Sequence, residues 1–175
     1  MRIQQKDCIT LYGGQSTTVV RQEVQFKNGN VLPFEFVERP PVALIIPLIG
    51  PTEILMIEQY RAAVNEMVWE FPAGKKNENE NILDTANREL EEETGYKAGH
   101  IVQIAKFYTT PHFSNEIVYV FLATELEYTS PEFQDHEFIK VSKKNLIEIK
   151  QLLATAKIND AKSLLAVSYY INTNY

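Results

Sequence analysis

Cysteine is nearly absent from this chain of 175 residues: Cys8 stands alone, so no disulfide can close within the chain, and a single thiol fits a reducing compartment. Long apolar runs are missing too. No stretch approaches the roughly 20 residues that a membrane-spanning helix needs. The opening MRIQQKDCIT has no apolar segment of the signal-peptide kind, so a soluble, cytoplasmic protein with no membrane partner is expected. Positive charge is in deficit, with 17 Lys and Arg against 23 Asp and Glu and a formal net charge of -6. That balance argues against a protein that grips nucleic acid through its backbone, which takes clustered cations. It leaves phosphate chemistry open if a divalent cation and a few placed arginines supply the positive charge. Histidine is scarce as well. His100 and His136 have no partner pattern, which speaks against a His-based metal site or nucleophile.

What is present suffices for one globular core, since 45% of the residues are hydrophobic. Residues 1–40 alternate apolar and polar positions in short runs, at 9–12, 18–26 and 31–37, and Asn28-Gly29 between the last two is a hairpin signal. Pro40-Pro41 marks a boundary between this β segment and residues 41–175. The near-continuous apolar run 42–49 suits a strand buried on both faces. Further strands are expected at 54–59, 65–71, 101–108, 116–125 and 137–141, and two closing helices at 143–156 and 160–171, broken near Ile158-Asn159. A polar loop, 75–80, leads into a helix with Asn81 as N-cap and Gly95 in the left-handed C-terminal position.

That helix ends in Arg88-Glu89-Leu90-Glu91-Glu92-Glu93. At 3.6 residues per turn Glu89 and Glu93 stack one above the other with Glu92 beside them. The arrangement is unfavourable by itself, because like charges at i,i+4 repel by roughly 0.2–0.5 kcal/mol and anions near a helix C-terminus oppose the macrodipole by about 0.3–1 kcal/mol each. A hard divalent cation with oxygen ligands would offset both. A Glu run standing alone is more often a solvated face. Here it does not stand alone: Gly74, five residues, Glu80, seven residues, then the run closed by Thr94-Gly95-Tyr96.

This spacing resembles the Nudix box of the Nudix hydrolases at every fixed Gly, Glu and Arg, with Tyr96 departing from the usual aliphatic residue. Seven specified positions, each at roughly one in fifteen, make a chance match an event of order once in 10⁸ windows. The resemblance implies an α/β fold, a Nudix α/β/α sandwich with a mixed sheet, preceded by the small N-terminal β segment. It also implies Mg²⁺ or Mn²⁺ and attack of water on a nucleoside diphosphate linked to another group. By the same likeness Glu89 and Glu93 are direct metal ligands, Glu92 a direct or water-mediated one, and the Ala73 carbonyl a further one. Glu80 and Arg88 form a bridge that holds the loop, between the fixed Gly74 and Gly95.

Sequence outside the box resembles the branch of ADP-ribose pyrophosphatases and nucleoside diphosphate sugar hydrolases. The likeness is carried by Glu58-Gln59-Tyr60-Arg61, Trp69-Glu70-Phe71-Pro72-Ala73-Gly74, Pro111 in Thr110-Pro111-His112-Phe113-Ser114-Asn115-Glu116, and Ile158-Asn159-Asp160-Ala161-Lys162-Ser163. It implies hydrolysis of ADP-ribose to AMP and ribose 5-phosphate. The alternatives are a GDP-mannose or broad nucleotide-sugar hydrolase, or a non-catalytic nucleotide-sugar sensor. Arg61 is expected to aim at phosphate, Arg39 and Glu70 at base or ribose, and Ser114 and Glu116 at the sugar. A general base is expected from the stretch 132–139, where an extended chain puts Asp135 and Glu137 on one side. Glu137 is the favoured base or extra ligand and Asp135 its alternative, with Glu92 the catalytic member inside the box. A homodimer in which residues 1–40 cross to the partner is implied as well.

Overall fold

The computed structural model describes residues 3–130 and 138–173. The chain divides into two units, Met1–Pro40 with Tyr108–Ile117, and Pro41–Phe107 with Val118–Tyr175. The return of residues 108–117 to the first unit has no signal in local composition.

In the first unit β1 (Gln4–Gly13), β2 (Thr18–Gln25) and β3 (Val31–Glu38) form an antiparallel sheet in chain order. Asn28-Gly29 turns the β2–β3 hairpin as expected: Gly29 takes φ 88°, the Phe26 N–H donates to the Asn30 carbonyl at 2.9 Å, and Gln25 faces Val31. The returning segment joins β3 where the Val37 N–H donates to the Phe113 carbonyl at 2.8 Å.

The second unit is built on a seven-stranded mixed sheet. Its centre is β4 (Val42–Ile49), parallel to β9 (Ile117–Tyr128) and antiparallel to β5 (Glu53–Arg61) and to the short β7 (Ala73–Lys75). β10 (Ile139–Asn145) lies beyond β5, β8 (Tyr96–Tyr108) lies beyond β9, and β6 (Glu66–Glu70) pairs with β5. Six consecutive residues of β4 are buried, as a strand covered on both faces must be. Ala43 and Ile45 on one face meet Ala86 and Leu90 of helix α1 (Ile82–Thr94). Val42, Leu44 and Ile46 on the other meet Ile149 of α2 (Leu146–Ala154) and Ala166, Val167 and Tyr170 of α3 (Ala161–Thr173). Two helical layers therefore enclose the sheet, the α/β/α arrangement anticipated. Among the described residues no helix is long and apolar enough to cross a membrane.

Two differences from the sequence reading have identifiable causes, one in strand pairing and one in a helix cap. Residues 73–75, lying past the expected strand 65–71 and running into the expected polar loop 75–80, pair with β4 as a strand. Lys143 and Lys144, read as the start of a helix, continue β10 instead, because Asn145 caps α2: its side chain accepts from the Ile147 and Glu148 N–H groups, and Glu148 reaches back to the Asn145 N–H.

Candidate active site

Helix α1 is delimited by its own sequence. The Asn81 side chain accepts from the Leu83 and Asp84 N–H groups at 2.9 Å each, and Gly95 at φ 74° sends its N–H to the Glu91 carbonyl at 2.8 Å. With Ala86 and Leu90 against the sheet, the adjacent flank turns Glu89 and Glu93 inward, 9% and 4% exposed. Both meet β7. The Ala73 N–H donates to Glu93 Oε2 at 2.9 Å, and a Cβ on Gly74 would overlap the Glu89 carboxylate. Glycine is needed at residue 74 to let that carboxylate approach the backbone.

Arg88 is the hub of the loop. Its Nε and Nη2 fork onto Glu80 at 2.6 and 3.1 Å, its Nη1 reaches Glu92 at 2.9 Å and Glu89 at 2.7 Å, and Nη2 also donates to the Lys75 carbonyl at 3.1 Å. The hydrogen bonds from Arg88 hold the Glu80 carboxyl down to about 2, and Glu80 in turn raises Arg88. Glu80 and Arg88 thus form an ion pair that ties the loop to the helix.

The donor chemistry suits a hard divalent cation: carboxylate oxygens of Glu89, Glu92 and Glu93 beside the backbone of Ala73, in a space that a side chain on Gly74 would fill. The three carboxylates do not gather into one cluster. Among the described residues no three His, Cys, Asp or Glu side chains form a metal-holding group. Glu89 and Glu92 face Arg88, and Glu93 faces the N–H of Ala73 rather than its carbonyl.

Arg61, at the end of β5, and Glu70, at the end of β6, share a face of the sheet. Arg61 donates through Nε and Nη2 to the two Glu70 oxygens at 2.6 Å each. Its pKa is raised, first by those bonds and then, against burial, by the charges of Glu70, Glu93 and Asp160. Arg61 therefore lies in the field of the Glu93 carboxylate. Glu70, expected to contact base or ribose, is 1% exposed and both its oxygens are engaged inside the protein, Oε2 also by Lys162 Nζ at 2.8 Å. An open cleft of about 300 Å³ borders this pair, lined by Arg61, Val64, Val68, Glu70 and Asp160 among others. Sequence reasoning gave Lys162 no part here. It stands 92 positions from Glu70, and the quoted turn around it was the one hint.

In the first unit Arg39 contacts Glu116 at 3.4 Å and donates to the Ser16 carbonyl at 2.8 Å, and buried Ser114 accepts from the Glu116 N–H at 3.2 Å. Arg39, Ser114 and Glu116 are thus brought together. Asp135 and Glu137 lie outside the described residues.

Fold and site together define an α/β/α protein whose acidic loop and helix are clasped by one arginine. The NUDIX domain family matches residues 38–167. The chain is 34% identical over 161 residues to an ADP-ribose pyrophosphatase of Bacillus subtilis (strain 168), covering 91% of this chain and 87% of that protein. It is 31% identical, with the same coverage of both chains, to a methanol dehydrogenase activator of Bacillus methanolicus. A crystal structure of an ADP compounds hydrolase superposes with a TM-score of 0.84 at 22% identity, over 98% of this chain and 94% of that one, a likeness of fold. The chain belongs to the Nudix family.

Proposed function

We propose that this chain is a divalent-metal-dependent hydrolase of the diphosphate bond in nucleoside diphosphate sugars, converting ADP-ribose to AMP and ribose 5-phosphate. The observation that carries the reading is the near full-length likeness to an ADP-ribose pyrophosphatase in a chain whose box keeps every fixed Gly, Glu and Arg. Mg²⁺ or Mn²⁺, when bound, supplies charge neutralisation at the diphosphate and acidifies water. Glu89 and Glu93 would hold it, with Glu92 and the Ala73 carbonyl completing the protein's share. Arg61, fixed by Glu70, would grip a phosphate oxygen with the N–H groups outside the Glu70 fork. Arg39, Ser114 and Glu116 are assigned to base and sugar, and Glu137, or Asp135, to the proton of the attacking water. A cytoplasmic homodimer is part of the same proposal.

The test is incubation with ADP-ribose, GDP-mannose and other nucleotide sugars in Mg²⁺ or Mn²⁺, with products separated by chromatography. AMP and ribose 5-phosphate are expected, since water attacking either phosphorus of the bridge gives two monophosphates. Free adenine or inorganic phosphate as first product would overturn the reading. Faster turnover of GDP-mannose would move the specificity, and no turnover of any member would favour the sensor. The activator relative supports a second reading, action on a partner enzyme. Acceleration of a methanol dehydrogenase by a protein that leaves ADP-ribose intact would favour it.

A further inference from the structure

The first turn of α3 is joined to the segment that enters the box by a closed ring of polar contacts. Lys162 Nζ donates to Glu70 Oε2 and to Asp160 Oδ1, both at 2.8 Å. Asp160 Oδ2 accepts from the Ser163 N–H at 2.9 Å, and Ser163 Oγ accepts from the Phe71 N–H at 3.0 Å. Phe71 follows Glu70 in the chain, so the ring closes through one peptide bond. Burial alone would push the Asp160 carboxyl up, and the Lys162 charge with the hydrogen bonds from Lys162 and Ser163 outweighs it.

The ring has two outlets, both toward the candidate site. One is Glu70, whose carboxylate forks onto Arg61 through Nε and Nη2. With Lys162 on Oε2 as well, that carboxylate is held by three charge-assisted hydrogen bonds, and the plane of the Arg61 guanidinium is fixed with it. The other outlet is the backbone: two residues past Phe71, the Ala73 N–H is bonded to Glu93. Ser163 is fully buried and Glu70 nearly so, which leaves water little opportunity to replace either contact.

We infer that Lys162 is a positioning residue: through Glu70 it orients Arg61 for the substrate diphosphate, and Asp160 and Ser163 hold Lys162 and the segment 70–73 in place for that purpose. Asp160 balances the Lys162 charge, so the arrangement adds geometry to the site rather than net attraction for an anion. This deepens the proposed hydrolysis and rests on it for the identity of the substrate.

The test compares the wild type with Lys162→Met, Lys162→Arg, Glu70→Gln and the double variant Lys162→Met/Glu70→Gln. Two readouts are needed: steady-state kinetics with ADP-ribose, and the ¹⁵N NMR signal of the Arg61 Nε–H, which reports how firmly the guanidinium is held. Lys162→Met is expected to lower kcat/KM by roughly 10–100-fold, the usual scale for losing the support of an orienting group. It should raise KM and speed exchange of the Arg61 Nε–H, and Lys162→Arg should restore both in large part. The double variant should fall no further than Glu70→Gln alone, because Lys162 acts through Glu70. An unchanged Arg61 signal in Lys162→Met, or additive losses in the double variant, overturns the inference. A wild type that turns over no nucleotide sugar sinks the proposed function instead, and the Arg61 signal still decides whether Lys162 positions it.

Discussion

Gly74 shows how one residue without a side chain can govern a charged site. The atoms nearest to a Cβ at this position would be those of the Glu89 carboxylate. The overlapping group is the end of a flexible side chain, which can swing away, so Gly74→Ala is expected to cost little stability, about 1 kcal/mol, while displacing Glu89. Turnover and Mn²⁺ affinity should fall at least tenfold with a melting temperature close to wild type. Equal affinity for Mn²⁺ in the two proteins would show that Glu89 is no ligand. Glu93→Gln makes the complementary test, since an amide oxygen can still accept the Ala73 N–H at 2.9 Å but carries no charge for a cation. Most turnover should be lost with the fold intact, and a near-normal rate at saturating Mg²⁺ would refute the assignment. Gln59 offers a control away from these ligands. Among the described residues its Oε1 is buried without a hydrogen-bond partner, so Gln59→Met should leave stability unchanged or raise it by about 1 kcal/mol in thermal unfolding.

At the scale of elements, legibility followed the range of the interactions. Helix α1 was readable to its caps because Asn81 and Gly95 act on backbone groups within a few residues. The Glu80–Arg88 pair was likewise readable, its partners being 8 positions apart in one motif. β7 was hidden because its strand character comes from pairing with β4, about which Ala73-Gly74-Lys75 says nothing locally. The partners of Glu70 were hidden for the same reason: the groups that claim its oxygens lie 9 and 92 positions away, and a buried carboxylate looks in sequence like an accessible one. The loop-to-helix bridge also sets an acid limit. Glu80 is held near 2, below its ordinary value of 4.5, so its contribution to stability is complete above the ordinary value and is lost as pH falls through the interval toward 2. Acid unfolding of Glu80→Gln should lack that part of the pH dependence, and superimposable curves for the two proteins from pH 5 to about 2 would show that the bridge contributes nothing.

For the whole molecule, the first unit poses the open question of what covers it. β1 is exposed along its full length, and Ile9, Leu11 and Tyr12 on it and Leu32 and Phe34 on β3 are all large apolar side chains left substantially exposed. A three-stranded sheet is at the lower limit of independent stability, and a long apolar edge strand invites pairing with another chain. The two register shifts in β1 twist the edge without removing its apolar residues. A second copy of the chain would satisfy these requirements with the same surface on both partners, which fits the proposed homodimer. Solution scattering at micromolar concentration should therefore give a mass near twice 20.1 kDa. Leu11→Glu together with Phe34→Glu should shift that mass to the monomer, because each change places a charge where the proposed dimer would bury apolar surface. A wild-type monomer at that concentration would remove the dimer from the proposal while leaving the chemistry of Glu89, Glu93 and Arg61 to be judged separately.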